Sequence, residues 1–498
     1  MASRGDERAA MREAWRTLSV VGLASIFSGM STSALNVALP SVVWHFSASA
    51  TQASWVLLAF MLTQTVLMVT FGRLADLFGR RSMYLAGLTT FTVASLAAGF
   101  APSAWALVGL RVLQAAGSAM LLTNSAALVT DAFPRHRLGQ GMGVYLASFS
   151  IAQLLGPTVG GFLAAHAGWR WLFWYNVPVG LACLAWGAVA LRRTPPAGQR
   201  RSLDLPGNLL VLLALGSGLV ALSQVTSLGW SAPAVLVGLG ASAVLLPVFL
   251  AAERRTAHPL VDVSLFRDRA FAFGLLASFL NSVAQIGVVL LFALYFQAVA
   301  GEDALAAGLR VLPVALTALV FSSSSGLLQR RFAPRTLTVV GNLTTAAGLL
   351  VLLLSATADV RYDHVVLGLA LAGAGSGLFM PANTTALMRS LPSARLGIAN
   401  AMRLMLQNTG IVVGTAVILS VLTSPLPLDL RRYVFAGTIS GVSGPGLHEL
   451  VTGYHRTLLT MLGICTATLV ASVCARRAGS GSGSTPVAEQ QPAAAAAA

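Results

Sequence analysis

What most constrains this chain is where its charges fall. Short charged loops separate runs of roughly 20 residues with almost no ionisable group, and a helix of that length crosses a hydrocarbon core about 30 Å thick. Of the 498 residues, 10% are charged and 56% hydrophobic; soluble domains carry roughly 25% charge. Lipid offers no water to open backbone groups, so the runs must be helices; the period-two polarity of barrel strands is absent. The sequence predicts an all-α integral membrane protein. Fourteen spans fit, near 17–40, 52–71, 82–101, 105–130, 140–164, 174–192, 205–223, 232–252, 271–295, 305–327, 336–357, 364–388, 397–422 and 457–475.

The arginines test the topology. All 32 basic residues are Arg, which with the abundant Ala and Gly suggests a GC-rich genome. With the N-terminus inside, the inner loops hold 24 of them and the outer loops five, Arg170, Arg361, Arg431, Arg432 and Arg456. That asymmetry predicts an inner (cytoplasmic) membrane protein with both termini cytoplasmic and an even number of spans. Twelve would satisfy it as well as fourteen. It also accounts for the net charge of +16 without nucleic acid, for which no basic face with interleaved aromatics exists. Cys183, Cys465 and Cys474 lie in apolar spans and predict neither a metal site nor a disulfide framework. The acids Asp6, Glu7 and Glu13 among the first arginines, and a long first apolar run, argue against a cleaved signal.

Two loops are twins. GRLADLFGRRSMYLAG (72–87) and GLLQRRFAPRTLTVVG (326–341) align as Gly72 with Gly326, Leu74 with Leu328, Phe78 with Phe332, Arg81 with Arg335 and Gly87 with Gly341. A parallel repeat of two six-helix halves is expected.

At this point the sequence resembles the major facilitator superfamily, in particular its fourteen-span drug:proton antiporters. The pattern G-x-L-x-D-x-x-G-R-R is that superfamily's loop signature; Gly72, Leu74, Asp76, Gly79, Arg80 and Arg81 match it. RVLQAAGSAM (111–120) resembles its helix-4 motif at Arg111, Gln114 and Gly117. GMGVYLASFSIAQLLGPTVGG (141–161) resembles its antiporter motif at Gly143, Gly156, Pro157, Gly160 and Gly161, with Ala152 where Gly is usual. NVALP (36–40) resembles the helix-1 motif, and GWRWLFWYNVPVG (168–180) and HPLVDVSLFRDRAF (258–271) also look like the subfamily. The resemblance covers about residues 17–475.

It implies a cytoplasmic N-terminal segment (1–16), a six-helix bundle (17–193), a linker with two inserted helices (194–252), a cytoplasmic amphipathic loop (253–270), a second six-helix bundle (271–475) and a disordered tail (476–498). It implies no enzyme and no cofactor beyond the proton as coupling ion. The implied function is export of small amphipathic compounds such as antibiotics by alternating access, in exchange for protons. Export of an endogenous metabolite (a siderophore or amino acid) and a non-transporting receptor of the same fold are the alternatives. A monomer in the bilayer is expected.

Roles carried by the resemblance attach to particular residues. Gly72, Asp76, Gly79, Arg80 and Arg81, with Asp131, form a conformational latch, or else serve topology alone. The glycines and Pro157 of the antiporter motif make helix 5 pliable beside the bundle interface, or else only let it pack closely. Arg111 takes part in proton coupling, or else bonds carbonyls of helix 1 or 5. A charge inside a span is costly and faces a cavity or a partner; Arg403 is a second example, able to reach a cavity or to snorkel inward. One departure matters. The subfamily's helix-1 Asp, five residues before Asn36, is here Ser31, and none of the sixteen acids lies near the middle of a span. Coupling then falls to Asp76, Asp131 or a substrate group, or else is weak, and neutral or anionic substrates are favoured over dications. Cavity polarity is expected from amides: Asn36, Gln64, Gln114, Asn124, Gln153, Asn281, Gln285, Asn342, Asn383 and Gln407.

Overall fold

The computed structural model describes residues 4–48, 50–134, 136–192, 205–256, 263–298, 304–355, 362–389, 391, 396–425 and 445–481. The helices are α1 (Arg4–Phe46), α2 (Ala50–Phe78), α3 (Arg80–Ala98), α4 (Ala104–Ala132), α5 (Leu138–His166), α6 (Trp171–Trp174), α7 (Asn176–Ala190), α8 (Leu205–Leu228), α9 (Pro233–Glu253), α10 (Arg269–Ala298), α11 (Ala304–Leu328), α12 (Pro334–Ser355), α13 (Tyr362–Arg389), α14 (Leu396–Thr423) and α15 (Pro445–Gly481). A 3-10 turn, Val263–Arg267, precedes α10.

Among the described residues, twelve helices are long and apolar enough to cross a membrane. The α6–α7 pair makes one of them, Trp171–Ala190. The two remaining helices of the expected fourteen are α3, which opens on Arg80 and Arg81, and α8, whose apolar stretch is Leu209–Val225. Both are packed into the assembly, α3 between α4 and α7, and α8 on α9, α2 and α14. Two boundaries differ from expectation. Residues 4–16 continue the helix of the first span, and α15 runs to Gly481, so 476–481 are helical. Continuing a formed helix avoids the cost of nucleating one, which composition alone does not reveal.

The halves repeat one packing scheme. In the first, α3 packs on α4, α2 on α4, α1 on α5 and α7, and α3 on α7; in the second, α12 packs on α13, α11 on α13, α10 on α14 and α15, and α12 on α15. The loop twins prepare the same contact in each half. A Cβ added at Gly117 of α4 would lie 2.9 Å from Gly87 O and 2.6 Å from Phe91 N of α3. One added at Gly375 of α13 would lie 2.5 Å from Gly341 O and 2.5 Å from Thr345 N of α12. Glycine faces glycine, and backbones approach as only small residues allow.

Between the halves, α5 meets α11 along one seam and α2 meets α14 along the other. The seams are exchanged by the repeat. The inserted α8 covers the second, where Leu219 packs with Leu62, Val66 and Val412. At the end bearing the arginine loops, one apolar core crosses the boundary and joins Phe133 and Tyr145 to Met388, Ala399 and Met402. Toward the opposite end the cores separate: Leu35, Val56, Leu107 and Phe173 belong to the first half, and Leu291, Tyr295, Val365 and Tyr454 to the second.

Candidate transport site and the seam between the halves

Arg111 sits eight residues, about 12 Å, along α4 from its Ser103 cap and is fully buried. Its Nη1 donates to Gln114 Oε1 at 2.5 Å and its Nε to Val56 O of α2 at 3.3 Å. The guanidinium lies 4.0 Å over the Phe60 ring, and Nη2 has no hydrogen-bond partner. Gln114 donates onward to Ser95 Oγ at 2.7 Å and to Ser31 Oγ at 3.5 Å, and Asn176 donates to Ser31 Oγ at 3.3 Å. Ser31 thus stands in a ring of donors that would suit a carboxylate, one side chain removed from Arg111. The carbonyl partner comes from α2 and not from α1 or α5.

The loop signature resolves into separate tasks. Gly79 alone joins α2 to α3, with φ +88°, a conformation that L side chains rarely adopt. Arg80, the next residue, forms an ion pair with Asp131 at the end of α4. Arg81 donates to Ala188 O in the last turn of α7 at 2.6 Å, where a cation meets open carbonyls. These contacts all lie within the first half. Gly72 is buried. The side chain of Asp76 lies outside the described residues, as do those of Asn36, Gln153 and Pro157.

The antiporter motif is divided between two surfaces. Gly156 and Gly160 face α1: an added Cβ would come within 2.5 Å of Ser33 Cβ or of Ala34 O. That contact is internal to the first half; Gly161 beside it is half-buried. Gly143 is the member at the seam, where an added Cβ would lie 2.8 Å from Ser322 O of α11. Across the seam Ser322 Oγ donates to Gly143 O at 3.3 Å, and Arg330 donates to Gln140 Oε1 at 2.8 Å. Gly139 and Gly326 complete this backbone contact; a Cβ on Gly326 would lie 2.4 Å from Gln140 Cα.

Arg403 is 1% exposed and does not snorkel. Its Nη2 donates to Asn400 Oδ1 at 3.0 Å and its Nη1 to Gln407 Oε1 at 3.0 Å. Asn400 in turn donates to Thr123 O at 2.7 Å and Leu122 O at 3.2 Å, both on α4 of the other half. Asn400 went unnoticed in the sequence, although it stands three residues before Arg403 on the same helical face.

The remaining amides differ in role. Asn342 bonds Ser472 at 2.8 Å and Asn383 bonds Ser278 at 2.7 Å, tying helices of the second half together. Asn124 is buried and donates to Met120 O one turn back. Gln64, half-buried, donates to Ser118 Oγ at 2.7 Å, and Ser118 meets Ser28 at 2.8 Å. Asn281 is buried with its Nδ2 unpaired, and Gln285 one turn on is half-buried. Among the described residues no cluster of His, Cys, Asp or Glu suits a metal ion.

Two pseudo-symmetric six-helix halves, meeting along exchanged seams with buried arginines in each, define a membrane transporter. The family model of the Major Facilitator Superfamily matches residues 21–415, and the chain belongs to that superfamily. It is 32% identical over 446 residues to the multidrug resistance protein Stp of Mycobacterium tuberculosis, covering 87% of this chain and 82% of that one. It is 29% identical over 404 residues to the tetracenomycin C resistance and export protein of Streptomyces glaucescens, covering 81% and 75%. Its fold matches the human organic anion transporter MFSD10 with a TM-score of 0.65 at 16% identity, covering 92% of this chain and 99% of that one.

Proposed function

We propose that this transporter exports small amphipathic compounds, antibiotics among them, in exchange for protons. The observation that carries the reading is the asymmetric joining of the halves: one shared core at the arginine-rich end, separate cores toward the other. With the termini and the arginine loops in the cytoplasm, this is the state open away from the cell. The α5–α11 contact and the Asn400 bonds are then the closures that must part for a compound to enter from inside. The resistance and export functions named for relatives from Mycobacterium and Streptomyces support efflux as the direction.

The charge pattern supports a substrate class. Arg111 and Arg403 are buried in opposite halves, and Asp131, in the first half, is engaged by Arg80. Two buried cations, with Asp131 already engaged, favour neutral or anionic amphipathic compounds over dications. With Ser31 in place of a carboxylate, the proton is carried by Asp76, Asp131 or the substrate itself. No cofactor takes part, and one copy of the chain in the bilayer suffices.

The test uses inside-out vesicles acidified by respiration, with an internal pH dye and labelled candidate compounds. Substrate-dependent loss of the pH gradient together with uptake into the vesicle supports proton-coupled export. Uptake that persists after the gradient is collapsed, with no pH response, would falsify the coupling.

A further inference from the structure

The first turns of α1 carry two opposed faces. Ala14, Leu18 and Val21 are 0–2% exposed and pack into the bundle. Around the other side Arg8, Arg12 and Arg16 recur at every fourth position and stay exposed. With Met11, Trp15 and Ser19 they line a groove of about 520 Å³. Trp15 is fixed by an edge-on contact with Phe133, their centroids 5.7 Å apart. Ser19 Oγ is fixed by Trp186 Nε1 of α7 at 2.9 Å. Of the acids in these turns, Asp6, Glu7 and Glu13, the last is engaged by Arg192.

The stripe changes character along the helix. Seven residues beyond Arg16, about 10 Å deeper, the same side presents Leu23, 52% exposed. Guanidinium groups flanking an amphipathic indole, then a hydroxyl, then bare aliphatic surface follow one another, in the order of phosphate, glycerol and acyl chain. The span Ala10–Leu35 has 26 residues, about 39 Å of helix against a hydrocarbon core of about 30 Å, so its first turns, with Arg12 and Arg16, stand at the level where headgroups lie. Arginines beside a membrane surface attract anionic lipid, and Trp prefers that boundary.

We infer that this face of α1 binds an anionic phospholipid, its phosphate held by Arg8, Arg12 and Arg16 and its acyl chains laid along Leu23. A free phosphate would use the arginines but not the aliphatic surface below them. The inference is independent of what the protein exports.

Native mass spectrometry of the full-length protein, purified with phosphatidylglycerol and phosphatidylcholine supplied equally, tests it. The wild type is expected to retain phosphatidylglycerol at least about ten-fold more than phosphatidylcholine, and Arg12→Gln to lower that preference about five-fold. The triple variant R8Q/R12Q/R16Q should lose it; if that variant fails to insert, the single one carries the test. Unchanged preference in Arg12→Gln would overturn the site. So would displacement of the bound lipid by millimolar inorganic phosphate, which would mark a free-anion site instead.

Discussion

The side-chain amide of Asn400 donates to the main-chain oxygen of Thr123 at 2.7 Å, tying α14 of the second half to α4 of the first. The same side chain accepts from Arg403, so one residue both bridges the halves and satisfies a buried cation. Replacing it by Ala removes two bonds to α4 backbone and leaves the guanidinium poorly paired. Neutral bonds of this kind contribute about 1 kcal/mol each, more where charge is involved. Spin-label distances across the arginine-rich end should therefore show Asn400→Ala shifted roughly ten-fold or more toward separated halves. Identical distance distributions in variant and wild type would remove Asn400 from the closure.

The α5–α11 seam depends on the absence of side chains. In Gly326→Leu the first added carbon would lie 2.4 Å from the Gln140 backbone, which cannot yield as a flexible side chain could. The protein should insert, because the helices of each half keep their packing on one another, yet a cysteine near Gln140 should become reactive and export should stop. Gly156→Leu offers the contrast, since it strikes Ser33 inside one half. There the expected effect is a loss of stability of about 1–3 kcal/mol, read as a lower melting temperature in detergent.

Arg111 presents a planar fork to Val56 O, Gln114 and the face of Phe60. A lysine cannot reproduce that geometry. Arg111→Lys is expected to accumulate normally while losing at least ten-fold in initial export rate. Ser31→Asp tests the same network from its other side. An Asp there would meet the amides of Gln114 and Asn176 and give Arg111 a counter-charge. Export of cationic dyes, measured by fluorescence accumulation in cells, should rise in Ser31→Asp; no change in cation export would detach Ser31 from substrate choice.

Gly79 forms the whole junction between α2 and α3 at φ +88°. Gly79→Ala forces an L side chain into that region at a cost of about 1–3 kcal/mol. The strain falls on the residue before the Arg80–Asp131 pair. The variant should melt lower, and adding Arg80→Ala should give less than additive destabilisation, because the pair is already displaced. Full additivity of the two melting shifts would show that the junction and the pair are independent.

Much of this architecture was legible before any coordinates. Apolar run length imposed helices, because lipid tolerates no open backbone, and the twin loops at 72–87 and 326–341 announced two halves. The Gly87–Gly117 contact and its counterpart Gly341–Gly375 give that repeat its physical content. Local chemistry was legible too: Gly79 stands where a positive φ is needed.

What the linear order hid was which half each contact serves. Gly143 and Gly156 stand in one motif, yet they face different helices, α11 and α1. Arg403 was open to snorkelling or to the interior; a buried place beside Asn400 and Gln407 decided it. Periodicity assigns a residue to a helical face but not to the neighbour that covers it. The sequence by itself determined a membrane protein of two repeated helical halves, since composition and spacing act along the chain. The tertiary structure alone decided that the halves are closed at the arginine-rich end, since that depends on contacts between α5 and α11 and between α4 and α14, far apart in sequence.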